Sequence, residues 1–373
     1  MCEIQPVAEI FGEKEHWMAK LAIIYHDDFR DYDLGPDHPF RGNRYDRLPQ
    51  VLKYEGIAAK KAEITFLRPK PAPDEAIRWA HGDDYIDFIE SLDRDGGTLT
   101  LDTPVPPGLY GVAKLFSGAN ILAGRLLAEG FFRRVLVLGL GAHHAGYDFG
   151  GGFCLINDIA VMIEHLRKNY GTKRIALFDF DAHCGNGTQD IYYDDPAVLC
   201  FDFHQDPLTF FPGSGFAYQI GLGEGKGYTV NLPFPPGSAD EDFLLAFNEI
   251  CLPLVQEFQP EIIVANGGLD AHFADPLSGL NLSARGFFRL LTAIGNLAKQ
   301  VCGDHLILIL GGSYDSRIVP VGWLAAISAM LDLEEVHLEE PLAAPAPSAT
   351  AGILAAQMIR TVKQIQKSYW RGL

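Results

Sequence analysis

Four short stretches of this 373-residue chain carry side chains in patterns that structural segments seldom need. The first is Gly139-Leu-Gly-Ala-His143-His144-Ala, two adjacent imidazoles among glycines that permit close backbone approach. Imidazole titrates near neutral pH, so such a pair suits proton transfer. The second is Asp179-Phe-Asp181-Ala-His183-Cys-Gly-Asn186. Alternate residues of an extended segment share a face, so Asp179, Asp181 and His183 point the same way. Carboxylates with an imidazole at this spacing form half of a divalent-metal site, and mixed oxygen and nitrogen donors suit Zn²⁺. The third is Asn266-Gly-Gly-Leu-Asp270-Ala-His272. Asp270 can close the metal site from a neighbouring strand, with His272 as a competing ligand two residues further out. Two carboxylates and one imidazole leave positions on the ion open, the layout of a catalytic site. The fourth, Gly311-Gly-Ser-Tyr314, presents a phenol whose O–H beside a metal is a suitable oxyanion donor.

Each stretch follows a short apolar run: Val135–Leu138, Arg174–Phe178, Glu261–Ala265 and Leu306–Leu310. Leu21–Tyr25, Ile64–Leu67 and Val198–Phe203 are of the same kind. Continuous Val/Ile/Leu/Phe runs without polar alternation predict parallel strands buried on both faces. Helical patterns over Val112–Ala128, Asp158–Tyr170, Asp240–Glu257 and Ala284–Val301 lie between them. This alternation predicts one α/β domain, a parallel sheet with helices on both faces. In an open parallel sheet, chemistry gathers at the C-terminal ends of the strands, where all four stretches fall. The expected organisation is an extension over residues 1–20 and a catalytic domain over 21–340. A Pro-rich linker then opens a tail over 341–373, whose last helix, near Ala351–Ser368, packs on the domain. Gly221-Leu-Gly-Glu-Gly-Lys-Gly looks phosphate-like but lacks Walker spacing, and strand-like Tyr228-Thr-Val-Asn-Leu follows it, so it reads as a turn.

Composition narrows the partners. With 30 Lys+Arg against 48 Asp+Glu, the net charge is −18, which repels phosphate backbones and argues against nucleic-acid binding. No apolar run approaches the ~18 residues of a membrane span. Six cysteines without a Cys-x-x-Cys pair do not make a disulfide scaffold, and the N-terminus lacks the features of a secretory signal. The expected compartment is a reducing cytoplasm.

Taken together, these residues resemble the zinc-dependent histone deacetylase family, which includes prokaryotic acetoin-utilisation-type deacetylases and histone deacetylase-like amidohydrolases. The resemblance runs from about Leu21 to Trp323 in the family's motif order. His143-His144-Ala is followed by Gly152-Phe153-Cys154 and Asn157-Asp158. Asp179-Phe-Asp181-Ala-His183, Phe210-Phe211-Pro-Gly, Asp270 with Asp275-Pro-Leu277, and Tyr314 come next. Upstream, Gly35-Pro-Asp-His38-Pro39 with Arg44, and Asp102-Thr-Pro104, also look like family positions. The resemblance implies a single-domain arginase/deacetylase fold and one Zn²⁺ per chain on Asp181, His183 and Asp270. It implies that Asp179 orients His143 and Asn186 orients His144. It implies a narrow channel walled by Phe153 and Phe211 and lined by Gly152 and Leu277, with Asp102 on the rim. Three positions depart from the pattern. Cys184 stands where relatives commonly carry a third His, Ser313 interrupts a run that is often all Gly, and Asp202 replaces a Ser near a structural K⁺ site, which stays open here.

The chemistry this implies is amide hydrolysis assisted by a Lewis acid. His144 is the expected base and later acid, His143 the expected imidazolium, and Tyr314 the oxyanion donor. Arginase-like chemistry would need a further bridging carboxylate where Gly185 stands. A catalytically dead acyl-lysine reader would be expected to have lost one of these groups, and all are present. The segment from His81 to Asp102 has no long insertion, which favours acyl-lysine peptides or proteins over small acyl amines such as acetylpolyamines.

Overall fold

Ten strands form in a computed structural model that describes residues 20–373, so the extension expected over residues 1–20 lies, but for Lys20, outside the described residues. In chain order they are β1 Leu21–Ile24, β2 Ile64–Leu67, β3 Gly97–Thr100, β4 Thr103–Val105, β5 Arg134–Val137, β6 Ile175–Asp179, β7 Val198–Gln205, β8 Thr229–Phe234, β9 Ile262–Asn266 and β10 Leu306–Ile309. Eight of them make one sheet in the order β2-β1-β5-β10-β9-β6-β7-β8, and β3 and β4 form a separate antiparallel hairpin. Every pairing in the large sheet is parallel. Every residue of β1, β5, β6, β7, β9 and β10 is buried. That double-sided burial is why their sequences show no polar alternation.

Helices cover the sheet. Leu109–Ala128 packs on Asp158–Tyr170, and Ala284–Val301 packs on Ile318–Met330. The last of these escapes the sequence patterns because it is buried almost all round and so shows no amphipathic stripe. The helical stretch from Asp240 to Phe258 is one continuous path broken by a π-helical turn at Phe247–Cys251. The C-terminal helix, Ala349–Gln366, lies along β8: Gln366 Nε2 donates to the Thr229 carbonyl at 3.2 Å, and Trp370 Nε1 donates to that of Gly227 at 2.9 Å.

Two strands end one residue later than expected, at Asp179 and Asn266, because each of these polar residues still pairs across the sheet. The functional consequence lies in the strand order. The loops following β5, β10, β9 and β6 carry the four chemistry-bearing stretches, and these strands are consecutive neighbours in the sheet. Residues spread from His143 to Tyr314 are thereby collected at one edge.

Candidate active site

Past the end of β6 the chain turns under Asp270, whose Oδ1 accepts the Ala182 N–H at 2.9 Å. This pins the β6 and β9 loops together. His183 Nδ1 then lies 3.0 Å from Asp181 Oδ1 and 2.8 Å from Asp270 Oδ2. All three residues are buried, and their donor atoms converge closely enough to hold one ion. The donor set fits a divalent metal. An imidazole nitrogen faces two carboxylate oxygens, and exchanging its proton for a dication keeps the same three atoms as ligands. Burial and the neighbouring Asp181 charge push the Asp270 carboxyl up to about 6, the strain expected of two acids sharing a site. Glycine is required around this cluster: a Cβ on Gly312 would sit 2.6 Å from Asp181 Oδ2. His272 is turned away. Its Nε2 meets Glu340 Oε2 at 2.8 Å and its Nδ1 accepts the Ala274 N–H. Phe210, to which sequence reasoning gave no role, stacks on the His183 ring with centroids 4.3 Å apart.

The histidine pair is set by a different group of contacts. Asp158, the first residue of its helix, accepts the backbone N–H groups of Gly141 and Ala142 at 3.2 and 2.7 Å. Asn157, the cap of that helix, donates from Nδ2 to the Ala145 carbonyl and to Thr188 Oγ1. From outside the sheet, buried Arg44 donates to the carbonyls of Gly311 and Gly139, tying the β10 and β5 loops together. Held this way, His143 Nδ1 lies 2.8 Å from Asp179 Oδ2, and His144 Nδ1 lies 2.7 Å from Asn186 Oδ1.

The two partners differ in charge, and the rings diverge accordingly. Burial opposes a charge on His143 but is outweighed by the Asp179 and Asp181 carboxylates, which push it up to about 10. Burial, followed by the positive His143 and His183 neighbours, holds His144 well below its ordinary value. At neutral pH one ring is therefore a cation and the other a free base. With Nδ1 donating to Asn186, His144 keeps Nε2 open to accept a proton.

Gly152 and several aromatic rings crowd this cluster. Gly152 has φ +53°, and a Cβ there would meet His144 Cδ2 at 2.4 Å and Phe211 Cε1 at 3.0 Å. Phe153 follows with φ +72°, a backbone that a bulky residue seldom adopts. Its surroundings fix it there: Phe153 N–H donates to Thr103 Oγ1 at 3.0 Å, and Tyr32 O–H donates to the Phe153 carbonyl at 2.7 Å. Its ring meets those of His38 and Tyr314 edge to face, at 4.5 and 5.8 Å. Phe211, about half exposed, stands over His144 with centroids 5.1 Å apart. Asp102 sits in the β3–β4 turn, where its Oδ1 accepts the hydroxyls of Thr100 and Thr103. Leu277 is partly exposed on the loop where Asp275 accepts its N–H at 3.0 Å and that of Tyr314 at 2.9 Å. Tyr314 lies against the His183 ring at 6.2 Å. Burial, with the Asp270 and Asp181 charges, holds its phenol well above 10, so it stays a donor.

The three departures are also placed. Cys184 is a buried thiol that receives a Gln189 N–H, and Ser313 is buried beside Asp315. Asp202 receives three donors, from Gly185 N, Gln189 Nε2 and His204 Nδ1, at 2.8, 2.8 and 2.6 Å. Cys184, Asp202 and His204 form a second buried group with metal-ligating chemistry among the described residues.

Residues 38–330 match the histone deacetylase domain. The chain is similar to a probable deacetylase of Archaeoglobus fulgidus, 35% identical over 361 residues that take in 94% of this chain and 98% of that one. It is similar to acetoin utilization protein AcuC of Bacillus subtilis, 30% identical over 334 residues, 86% of this chain and 84% of the other. A histone deacetylase-like amidohydrolase of Pseudomonas aeruginosa is 34% identical over 286 residues, 76% and 74% of the two chains. Among solved structures, the HDA15 HD domain superposes with a TM-score of 0.83 at 25% identity, covering 95% of this chain and 96% of that one.

Proposed function

The chain belongs to the histone deacetylase family and is a deacetylase or amidohydrolase by that membership; we propose that it removes acyl groups from lysine side chains and that its metal is Zn²⁺, one per chain. The observation that carries the substrate reading is the passage beside Gly152. Phe153 follows Gly152 in the chain, Phe211 stands 5.1 Å from the His144 ring, and a Cβ at Gly152 would meet both His144 and Phe211. Aromatic rings beside the proposed base suit an unbranched alkyl stem better than a branched or charged one.

The geometry supports the following roles. Asp181, His183 and Asp270 would hold the ion, which supplies the Lewis acidity that amide hydrolysis needs at neutral pH. His144, neutral and open at Nε2, takes the proton from the attacking water and returns it to the leaving amine. His143, kept cationic by Asp179, contributes positive charge beside the reacting carbonyl. Tyr314 O–H donates to the developing oxyanion. Phe153, Phe211, Gly152 and Leu277 line the channel. Asp102 has one oxygen taken by threonine hydroxyls and offers the other to substrate N–H groups at the rim. The structural K⁺ near Asp202 stays part of the proposal, beside a carboxylate that accepts from Gly185, Gln189 and His204. The catalytic unit on this reading is residues 21–340, with 341–373 a linker and packing helix.

The test is a substrate panel with zinc-loaded protein. Acetyl-lysine peptides should show higher kcat/KM than acetylputrescine or acetylspermidine. Asp102→Asn should lower peptide kcat/KM modestly, since an acceptor remains. A clearly higher kcat/KM on the polyamines overturns the lysine reading.

A further inference from the structure

β9 ends at Asn266, whose partner across the sheet is Asp179 on β6. Asp179 pairs in turn with Asp202 on β7, and Asp202 with Asn231 on β8, so one buried rung of four neighbouring strands is polar throughout. In that rung Asn266 Nδ2 donates to both oxygens of Asp179, at 3.1 Å each. The same carboxylate accepts the Asp181 N–H at 3.2 Å and faces His143 Nδ1 at 2.8 Å.

The other end of the amide is the informative one. Asn266 Oδ1 is buried and has no hydrogen-bond partner among the described residues. It abuts the loop that carries both histidines, so closely that a Cβ on Gly141 would lie 2.2 Å from it. Turning the amide over would aim Oδ1 at a carboxylate that only accepts, so the orientation is set by Asp179. A buried acceptor left without a donor destabilises the fold, and a leucine of similar size would avoid it. An amide at such a position is best explained by what its donor end does.

Resting on the deacetylase reading above, we infer that Asn266 is a positioning residue. Its Nδ2 fixes the plane of the Asp179 carboxylate that aims His143, and its Oδ1 buttresses the Gly141 turn, so the two histidines keep their relative placement. Its side-chain hydrogen bonds among the described residues go to Asp179, so it acts through that carboxylate and the Gly141 loop.

The experiment uses the full zinc-loaded chain carrying Asn266→Leu, Asp179→Asn, or both. Partners that orient a catalytic group typically cost ~10–100-fold when removed. Asn266→Leu should therefore lower kcat on an acetyl-lysine peptide ~10–100-fold, with KM and zinc stoichiometry unchanged and the thermal midpoint within a few degrees of wild type. In the Asp179→Asn background it should add little, because its route of action is gone. A kcat within twofold of wild type, or losses that multiply in the double variant, overturns the inference. If leucine does not fold, Asn266→Ser is read in the same cycle. Proton NMR of the His143 Nδ1–H supplies a readout independent of turnover. Its downfield signal should broaden or move in Asn266→Leu, and an unchanged signal overturns the inference even if the wild type proves inactive on peptides, which would refute only the deacetylase reading.

Discussion

Replacing Gly152 by alanine adds one methyl group at the point where the backbone, the His144 ring and the Phe211 ring meet. The added carbon would stand 2.4 and 2.8 Å from His144 Cδ2 and Cγ, and 3.0 Å from Phe211 Cε1. Carbon atoms normally settle at about 3.5–4.0 Å, so one partner must retreat by roughly 1 Å. Phe211 is half exposed and can swing outward. His144 is less free, since Nδ1 is held by Asn186 at 2.7 Å and its ring lies 4.2 Å from that of His143. The closest contacts are nonetheless with the His144 ring, so outward movement of Phe211 does not relieve them and the proposed base is displaced. A misplacement of about 1 Å at a reacting group costs on the order of 100-fold in rate. The left-handed backbone at φ +53° adds a separate cost of about 1–2 kcal/mol for any residue with a Cβ, seen as stability rather than rate. Gly152→Ala should thus lose about 100-fold in kcat/KM on an acetyl-lysine peptide, lower the thermal midpoint by a few degrees, and keep its zinc by elemental analysis. Turnover within about threefold of wild type would falsify the claim that His144 is the base and that Gly152 exists to leave it room.

Asp181→Ala, His183→Ala and Asp270→Ala should each lose bound metal, while His272→Ala, whose partner is Glu340, should keep it. Full metal occupancy in Asp270→Ala would show that the third ligand has been misassigned. Tyr314→Phe should keep zinc and KM and lose ~10²–10³ in kcat; a loss in KM instead would place the phenol at the substrate rather than at the oxyanion. Burial pushes the Asp158 carboxyl from 3.8 up to about 6, so the folded state binds its proton more tightly than the unfolded one, and stability falls as pH rises from 4 to 6. Urea unfolding should accordingly show Asp158→Asn gaining on wild type by on the order of 3 kcal/mol between pH 4 and 7. A gap that does not change with pH would mean that Asp158 is not titrating there.

How much of this is legible in the amino-acid string depends on the distance over which a residue's role is decided. The central strands are legible because burial on both faces demands unbroken runs such as Val135–Val137 and Leu306–Ile309. The helix at Ile318–Met330 is not, because full burial removes the periodicity that marks a helix. Within the site, the Asp181/His183 pair can be read from local spacing. Whether Asp270 or His272 joins it cannot, since the answer lies with Glu340, 68 residues from His272, which turns that ring aside. Phe210 and Phe211 are neighbours in sequence, and only the turn that carries them decides that one stacks on His183 while the other overhangs His144. Asn266 is silent for the same reason: its meaning is a cross-strand register with Asp179, and no spacing along one strand reveals it.

The strand order also governs when the site can exist during synthesis. β9 and β10 lie between β5 and β6, yet they are the last strands of the sheet to leave the ribosome. Until they arrive, the two halves of the sheet end in open edges rich in apolar side chains, the kind of surface that recruits chaperones or pairs with the wrong chain. Asp270 and Tyr314 follow those late strands, so a nascent polypeptide already displaying His143, Asp181 and His183 would still lack the third proposed ligand and the proposed oxyanion donor. On the proposed assignment, metal capture and hydrolysis would therefore await the final closure of the sheet.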